Sequence, residues 1–239
     1  MLNIIADRVF SNSGTIETNN QNIHNNDQFL KKIYLVNNEK IYAKGTRVKD
    51  ILYFTNIAYS NFDCENTRLL INKFGIDENE SFYKLSTGMQ AILKAILAFN
   101  IDASYVLLDE PMLGVDAHYR KMFINELIKN YADRPRTFVI ATHLINEFQN
   151  VLENILIIND THLIYNNTID NLLNDVYTVK GSKETIDEIE KQCRILKRKS
   201  IGSICVASVF DKRGMCDRFN VTKERLSLEE AYIALTNGE

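Results

Sequence analysis

The sequence predicts an α/β protein built around a parallel sheet, and two observations carry that expectation. Residues 105–108 ("YVLL") and 137–142 ("TFVIAT") are runs with almost no polar member, and a helical pattern from about 117 to 131 separates them. Strand, helix, strand, with strands apolar on both faces, is the pattern of parallel strands covered by helices.

Upstream, apolar residues at 1, 2, 4, 5 and 9 of "MLNIIADRV" suit an amphipathic helix. "SNSGTIETNN" then turns the chain into a short strand from about Thr15 to Glu17, and "KKIYLV" (31–36) reads as a buried strand. Residues 46–100 are mostly helical, with 48–59 ("VKDILYFTNIAY") and 65–76 ("ENTRLLINKFGI") as two of the helices. A third lies in "KLSTGMQAILKAILAF" (84–99), where Ser86 is a natural N-cap and Met89, Ile92, Leu93, Ile96 and Leu97 form one apolar stripe. After the sheet, "NILII" (154–158) opens a hairpin expected to turn at Asn159–Asp160. Beyond "TIDNLLND" the texture changes to short strands ("VYTVKG", "SICVASVF") alternating with amphipathic helices. A domain boundary is therefore placed near 175, with a small α+β extension at 176–239.

The bulk properties exclude several classes. The 239 residues suffice for one large domain and an appendage, and 45% hydrophobic with 25% charged residues is ordinary for a globular protein. No apolar run approaches the roughly 18 residues of a membrane span. "MLNIIADRVF" lacks the basic lead and apolar core of a signal peptide, so a cytoplasmic placement is expected. Cys64, Cys193, Cys205 and Cys216 show no metal-ligand spacing and read as free thiols of a reduced compartment. A net charge of −3 and a pI near 5.9 argue against a nucleic-acid partner, and the one basic run, "RILKRKS" (194–200), reads as a solvated face.

Three fragments could carry chemistry. Asp109 and Glu110 follow the apolar run at 105–108 with no spacer. The carboxyl end of a parallel strand opens on the crevice where α/β sheets bind ligands, so one acid can hold Mg²⁺ and its neighbour can orient or deprotonate a water. The plain reading is two acids capping the next helix. The helix start at Ser86–Met89 offers unpaired N–H groups and a hydroxyl to an anion, and Gly88 permits close backbone approach by a ligand. Its plain reading is a capped core helix. His143, one residue past "TFVIAT", is placed to lean over the same crevice or to serve structure alone.

Order and spacing join these fragments. "LSTGMQ", "YVLLDEP" about twenty residues later, "LGVD" and then "ATH" together resemble the ATP-binding cassette family of ATPases. The resemblance implies a P-loop NTPase-like cassette core over 1–175, with a helical subdomain inserted at 46–100. It makes "LSTGM" the signature, with Ser86, Thr87, Gly88 and Met89 as nucleotide-contacting positions; Thr87 replaces the family's first glycine and Met89 its glutamine. Asp109 becomes the Mg²⁺-associated acid, Glu110 the catalytic base, Asp116 the end of the D-loop and His143 the residue sensing the γ-phosphate. Residues 31–52 resemble the family's Q-loop region without its glutamine: Asn37 is the nearest match, with Asn38 or Glu39 reached by a small shift. The tail at 225–239 resembles the last helix of bacterial export cassettes. ATP and Mg²⁺ as cofactors, a transmembrane permease as partner and a homo- or heterodimer with another such ATPase subunit follow by resemblance, as does a position on the inner face of the cell membrane.

One family element is missing. No G-x-x-x-x-G-K-[ST] phosphate loop occurs, and the dipeptide Gly-Lys occurs nowhere. The first residues resemble the segment that follows such a loop, so the expectation is a frame opening at an internal methionine and a chain that folds poorly and holds no ATP alone. Two other classes remain: a soluble cassette protein of translation or DNA maintenance, which the lack of tandem cassettes and basic segments disfavours, and a non-ATPase remnant or regulatory partner lending only its signature.

Overall fold

Parallel pairing is what the apolar strands produce. In a computed structural model, which describes all residues except 19, 40, 238 and 239, three strands run side by side in the order β3 (Ile33–Val36), β4 (Tyr105–Asp109), β5 (Thr137–Ala141). Both pairings are parallel and in regular register, from Ile33↔Tyr105 to Val36↔Leu108 and from Tyr105↔Thr137 to Asp109↔Ala141. Their carboxyl ends therefore line up, bringing residues 37, 109–110 and 141–143 to one edge.

The elements before the sheet are short. Helix α1 spans Leu2–Ile5 rather than the expected nine residues, because Asp7 takes a left-handed φ of 53°. The Asp7 carboxylate accepts from Asn25 N–H at 3.1 Å and meets His24 Nδ1 at 2.7 Å, a local network that the helical pattern does not reveal. Leu2 of α1 packs with Leu35 and Leu107, so the helix covers one face of the sheet. A small hairpin, β1 (Glu17–Thr18) and β2 (Gln21–Asn22), and helix α2 (Asp27–Leu30) lead into β3.

The helical segment contains α3 (Val48–Ala58), α4 (Cys64–Lys73) and α5 (Thr87–Asn100), close to expectation. Asp63 caps α4 by accepting from Asn66 N–H at 2.9 Å. Helix α5 departs from the single-stripe expectation: every residue from Ala91 to Asn100 is buried, whereas Met89 is half-buried. It packs against α4, against β3 and against α6 (Ala117–Asp133), so from Ala91 onward it has no solvent face. Lys94 lies inside this helix, 8% exposed, and its Nζ donates to Asn37 O at 2.8 Å and Glu39 O at 2.7 Å. Burial pulls its pKa below the ordinary lysine value, and the nearby Glu39 opposes that shift.

The chain divides into two compact units, Met1–Leu144 and Ile145–Glu239. The boundary expected near 175 falls inside the second unit. That unit holds α7 (Ile145–Phe148), the antiparallel hairpin β6 (Asn154–Asn159) and β7 (His162–Thr168), and α8 (Ile169–Asp175). The hairpin turns one residue later than expected, at Asp160–Thr161, both at positive φ. A two-residue loop favours that conformation, and aspartate tolerates it. A four-stranded antiparallel sheet follows, with the order β11 (Thr222–Arg225), β8 (Val176–Ser182), β10 (Ile204–Phe210), β9 (Arg194–Ile201). Alternation along β8 sends Val176 to one core, with α8 and α10 (Leu228–Thr236), and Tyr177 and Val179 to another, under α9 (Lys183–Glu190). The basic run forms edge strand β9, where exposed Lys197 and Lys199 discourage edge-to-edge pairing. Of the tail, residues 225–237 carry β11's last residue and α10 with its Ser227–Glu230 capping box; 238 and 239 lie outside the described residues.

Asp211 makes the second unit acid-sensitive. Burial alone would raise its pKa, but donation from Cys216 N–H, the Tyr177 hydroxyl, Met215 N–H and Arg213 N–H outweighs that and holds it at about 2. A depressed carboxylate contributes stability that is present above its unfolded pKa near 4 and is lost as pH falls through about 2. The expected contribution is about 2 kcal/mol. Thermal melts from pH 5 to pH 2 should show the second unit losing that stability in wild type, and losing less of it in Asp211→Asn.

Candidate active site

The acids, the histidine and their supports meet at the carboxyl edge of the sheet. Asp109 ends β4, and Glu110 leaves it with φ 47°, a left-handed conformation uncommon for a residue with a side chain. Glu110 N–H donates to Ala141 O at 2.8 Å, so the last bond of the β4–β5 ladder holds this strained residue in place. Strain of this kind costs roughly 1–2 kcal/mol. It persists only where surrounding structure fixes it, as at functional sites.

The Glu110 carboxylate is held from three sides. Oε1 accepts from His143 N–H at 3.1 Å and lies 2.8 Å from His143 Nδ1, while Oε2 accepts from the Thr142 hydroxyl at 3.2 Å. If the imidazole is neutral, donation from Nδ1 leaves Nε2 as the ring acceptor on an exposed side chain. Thr142 Oγ1 in turn accepts from Leu144 N–H at 3.0 Å, which orients the hydroxyl. The carboxylate of Asp109 has no hydrogen-bond or ion-pair partner among the described residues. It is half-buried at the same edge. A hard oxygen ligand left uncommitted beside a second, oriented carboxylate suits Mg²⁺, which takes one or two protein carboxylates and keeps places for phosphate and water.

Asn37 reaches this edge from β3, following Val36, which pairs with Leu108. It is buried, and its amide is engaged locally: Nδ2 donates to Asn3 Oδ1 at 3.4 Å and Oδ1 accepts from Glu39 N–H at 3.2 Å. Lys94 fastens the backbone of the same loop to α5. Neither Thr142 nor Lys94 stands out by motif, but a lysine enclosed in "AILKAIL" is a visible anomaly in an apolar helix.

The remaining site residues form a second group at the start of α5. Ser86 caps the helix, accepting from Met89 N–H at 3.2 Å. Thr87 is exposed, and Gly88 is buried against the loop that ends in Asp116. A Cβ on Gly88 would strike Gly114 O and lie 2.9 Å from both Gly114 C and Val115 Cα. The close approach at this glycine is therefore that of the 110–116 loop backbone, in place of the expected ligand. Asp116 caps α6, its Oδ1 accepting from His118 N–H at 3.0 Å and Tyr119 N–H at 3.2 Å. The loop from Glu110 to Asp116 thus runs from the acid site to the start of α5. A cleft of about 370 Å³ lined by Asp63, Asn66, Glu126, Asn130 and Arg134 lies around the last turns of α5 and α6, away from these residues.

Comparisons with known proteins bear on the family and the fold. A family model described as "AAA domain, putative AbiEii toxin, Type IV TA system" matches residues 5–148. The chain is 26% identical over 186 residues to the ABC transporter ATP-binding protein YtrB of Bacillus subtilis, covering 77% of this chain and 63% of that protein. It is 20% identical over 155 residues to the energy-coupling factor transporter ATP-binding protein EcfA2 of Clostridium acetobutylicum, covering 65% of this chain and 49% of that one. The chain thus spans from about half to just under two thirds of the length of these relatives. A solved ATP-binding subunit of an ABC transporter superposes with a TM-score of 0.63 at 16% identity, over 72% of this chain and 74% of the other, a likeness of fold.

Proposed function

The chain belongs to the matched AAA-domain family and is similar to an ATP-binding protein of an ABC transporter, and from that premise we propose that it is the subunit that powers a separate membrane permease, in the export direction. ATP and Mg²⁺ are the cofactors such ATPases use in general. The gathering of Asp109, Glu110, Thr142 and His143 on one sheet edge carries the reading. Asp109 would hold the metal, which when bound neutralises charge on the phosphates. Glu110, oriented by Thr142 and His143, takes a proton from the attacking water on its carboxylate. His143 presents Nε2 towards the crevice. Ser86 to Met89, with Asp116 behind them, face a nucleotide on a second ATPase subunit, the same or different, with the α5 N–H groups that the Ser86 cap leaves unpaired. Asn37 and its loop couple the acid edge to the helical segment through Lys94.

The 239 residues fit ATP itself less well, because they contain no phosphate loop. A second reading has the chain lend its signature to an intact subunit and hold no nucleotide at its own acids; nucleotide titration of the chain with and without such a subunit separates the two.

Among the described residues no helix is long and apolar enough to cross a membrane. In the proposed reading the spanning helices belong to another chain, and this one sits on the cytoplasmic face. Helix α3 exposes Tyr53, Phe54 and Ile57, each more than 60% accessible, as an apolar patch suited to a protein partner. With an affinity tag in the parent cell, the chain is expected to sediment with membranes and to bring down a polytopic protein after detergent extraction. Tyr53→Ser combined with Phe54→Ser should weaken that recovery roughly 30-fold, as loss of an aromatic anchor does. A wild-type chain found only in the supernatant rules the permease partnership out.

A further inference from the structure

Two of the four thiols meet in the core of the second unit. Cys216 Sγ lies 3.6 Å from Cys193 Sγ, and both residues are buried. Each is anchored by its backbone: Cys193 N–H donates to Ile189 O at 2.8 Å where α9 ends, and Cys216 N–H donates to Asp211 Oδ2 at 2.9 Å. A disulfide needs a sulfur separation near 2.05 Å, so closure asks for about 1.5 Å of combined movement. Asp211 also lies within 4.8 Å of both sulfurs, which raises a metal site as the competing use of the cluster. Its oxygens already accept from three backbone N–H groups and the Tyr177 hydroxyl, filling the roughly four positions a carboxylate offers. The cluster is therefore a dithiol beside a saturated acid.

We propose that Cys193 and Cys216 are an oxidisable pair that hydrogen peroxide converts into an intramolecular disulfide, stapling the α9–β9 turn to the link between β10 and β11. Cys193, at 8% exposure against none for Cys216, is the sulfur that peroxide reaches first. Its sulfur attacks one peroxide oxygen, the O–O bond breaks, and the thiol proton leaves with the departing hydroxide as water. Cys216 then attacks the resulting sulfenic acid; the S–S bond forms, the S–O bond breaks, and a second water leaves. Two electrons pass from the thiols to each peroxide consumed. Burial pushes both thiols up, Cys216 to about 12, so the compact unit keeps them protonated and reaction runs through transient openings of the link.

The test is mass mapping of the full chain after native peroxide treatment and alkylation. The expected product has lost two hydrogens, carries a Cys193–Cys216 peptide link reversible by dithiothreitol, and melts about 10 °C higher in the second unit. Cys205→Ala should leave that link intact. Sulfinic acid at either position, links to Cys205 or between chains, linkage only in denaturant, or a co-purifying zinc ion that blocks oxidation until chelated would each overturn the proposal.

Discussion

Titrated with Mg²⁺ and ATP, the 239-residue chain alone should show a dissociation constant weaker than about 1 mM. A phosphate loop supplies several backbone donors and a lysine, and charge-assisted bonds of this kind contribute roughly 1.5–3 kcal/mol each. Without two or three of them, affinity falls by about a thousandfold or more. What this chain presents at the sheet edge makes matters worse for a bare triphosphate. Asp109 and Glu110 are both acidic, and Lys94, fastened to the neighbouring loop, spends its donors on Asn37 O and Glu39 O. Calorimetry with ATP and with a non-hydrolysable analogue checks this. A micromolar constant would mean that other residues here cradle the phosphates, and would favour self-sufficient hydrolysis over the signature-lending reading. Weak binding alone, followed by restored turnover when an intact ATPase subunit is added, favours the latter.

Which parts of this arrangement were legible beforehand follows from physical signals. The parallel strands were readable because burial on both faces leaves runs such as "YVLL" with no alternation to confuse with a helix. Asp109, Glu110 and His143 could be placed together because register carries strand ends to a common edge. Thr142 was not readable as a support, since a threonine at a strand end gives no sign of where its hydroxyl points. The short α1 was not readable either: apolar spacing favours a longer helix, and only the Asp7–His24 contact, between residues seventeen apart, shows why it stops. Helix α5 looked amphipathic because Lys94 and Gln90 interrupt its apolar face. Both are satisfied by backbone carbonyls, at Asn37 and Glu39 for the lysine and at Leu85 for the glutamine, so the polar atoms impose no solvent-facing side. Sequence patterns register the type of a side chain, and here the partners that let polar groups go inside are distant in sequence or lie on the main chain.

Replacing Gly88 with alanine should destabilise the first unit, and the sign of the effect is the informative part. By helix propensity alone, glycine to alanine inside a helix stabilises by about 1 kcal/mol. Here the new methyl would meet Gly114 O inside contact distance and press on Gly114 C and Val115 Cα at 2.9 Å, all of them backbone atoms that cannot swing aside. Overpacking of this kind costs roughly 1–3 kcal/mol, and a rigid backbone neighbour puts it at the upper end, about 3 kcal/mol. The net loss of about 2 kcal/mol corresponds to a melting point lower by roughly 5 °C. Gly114→Ala makes the useful control: its φ of +73° is strained for alanine, but the added carbon finds only ordinary contacts at 3.5 Å with Gly88 N and Thr87 Cβ. Its expected cost is about 1 kcal/mol, from backbone strain alone. The two variants therefore separate a steric contact from a conformational one. If Gly88→Ala melts at or above wild type, the start of α5 does not rest on the 110–116 loop, and the path from Glu110 through Asp116 to Ser86 loses its physical link.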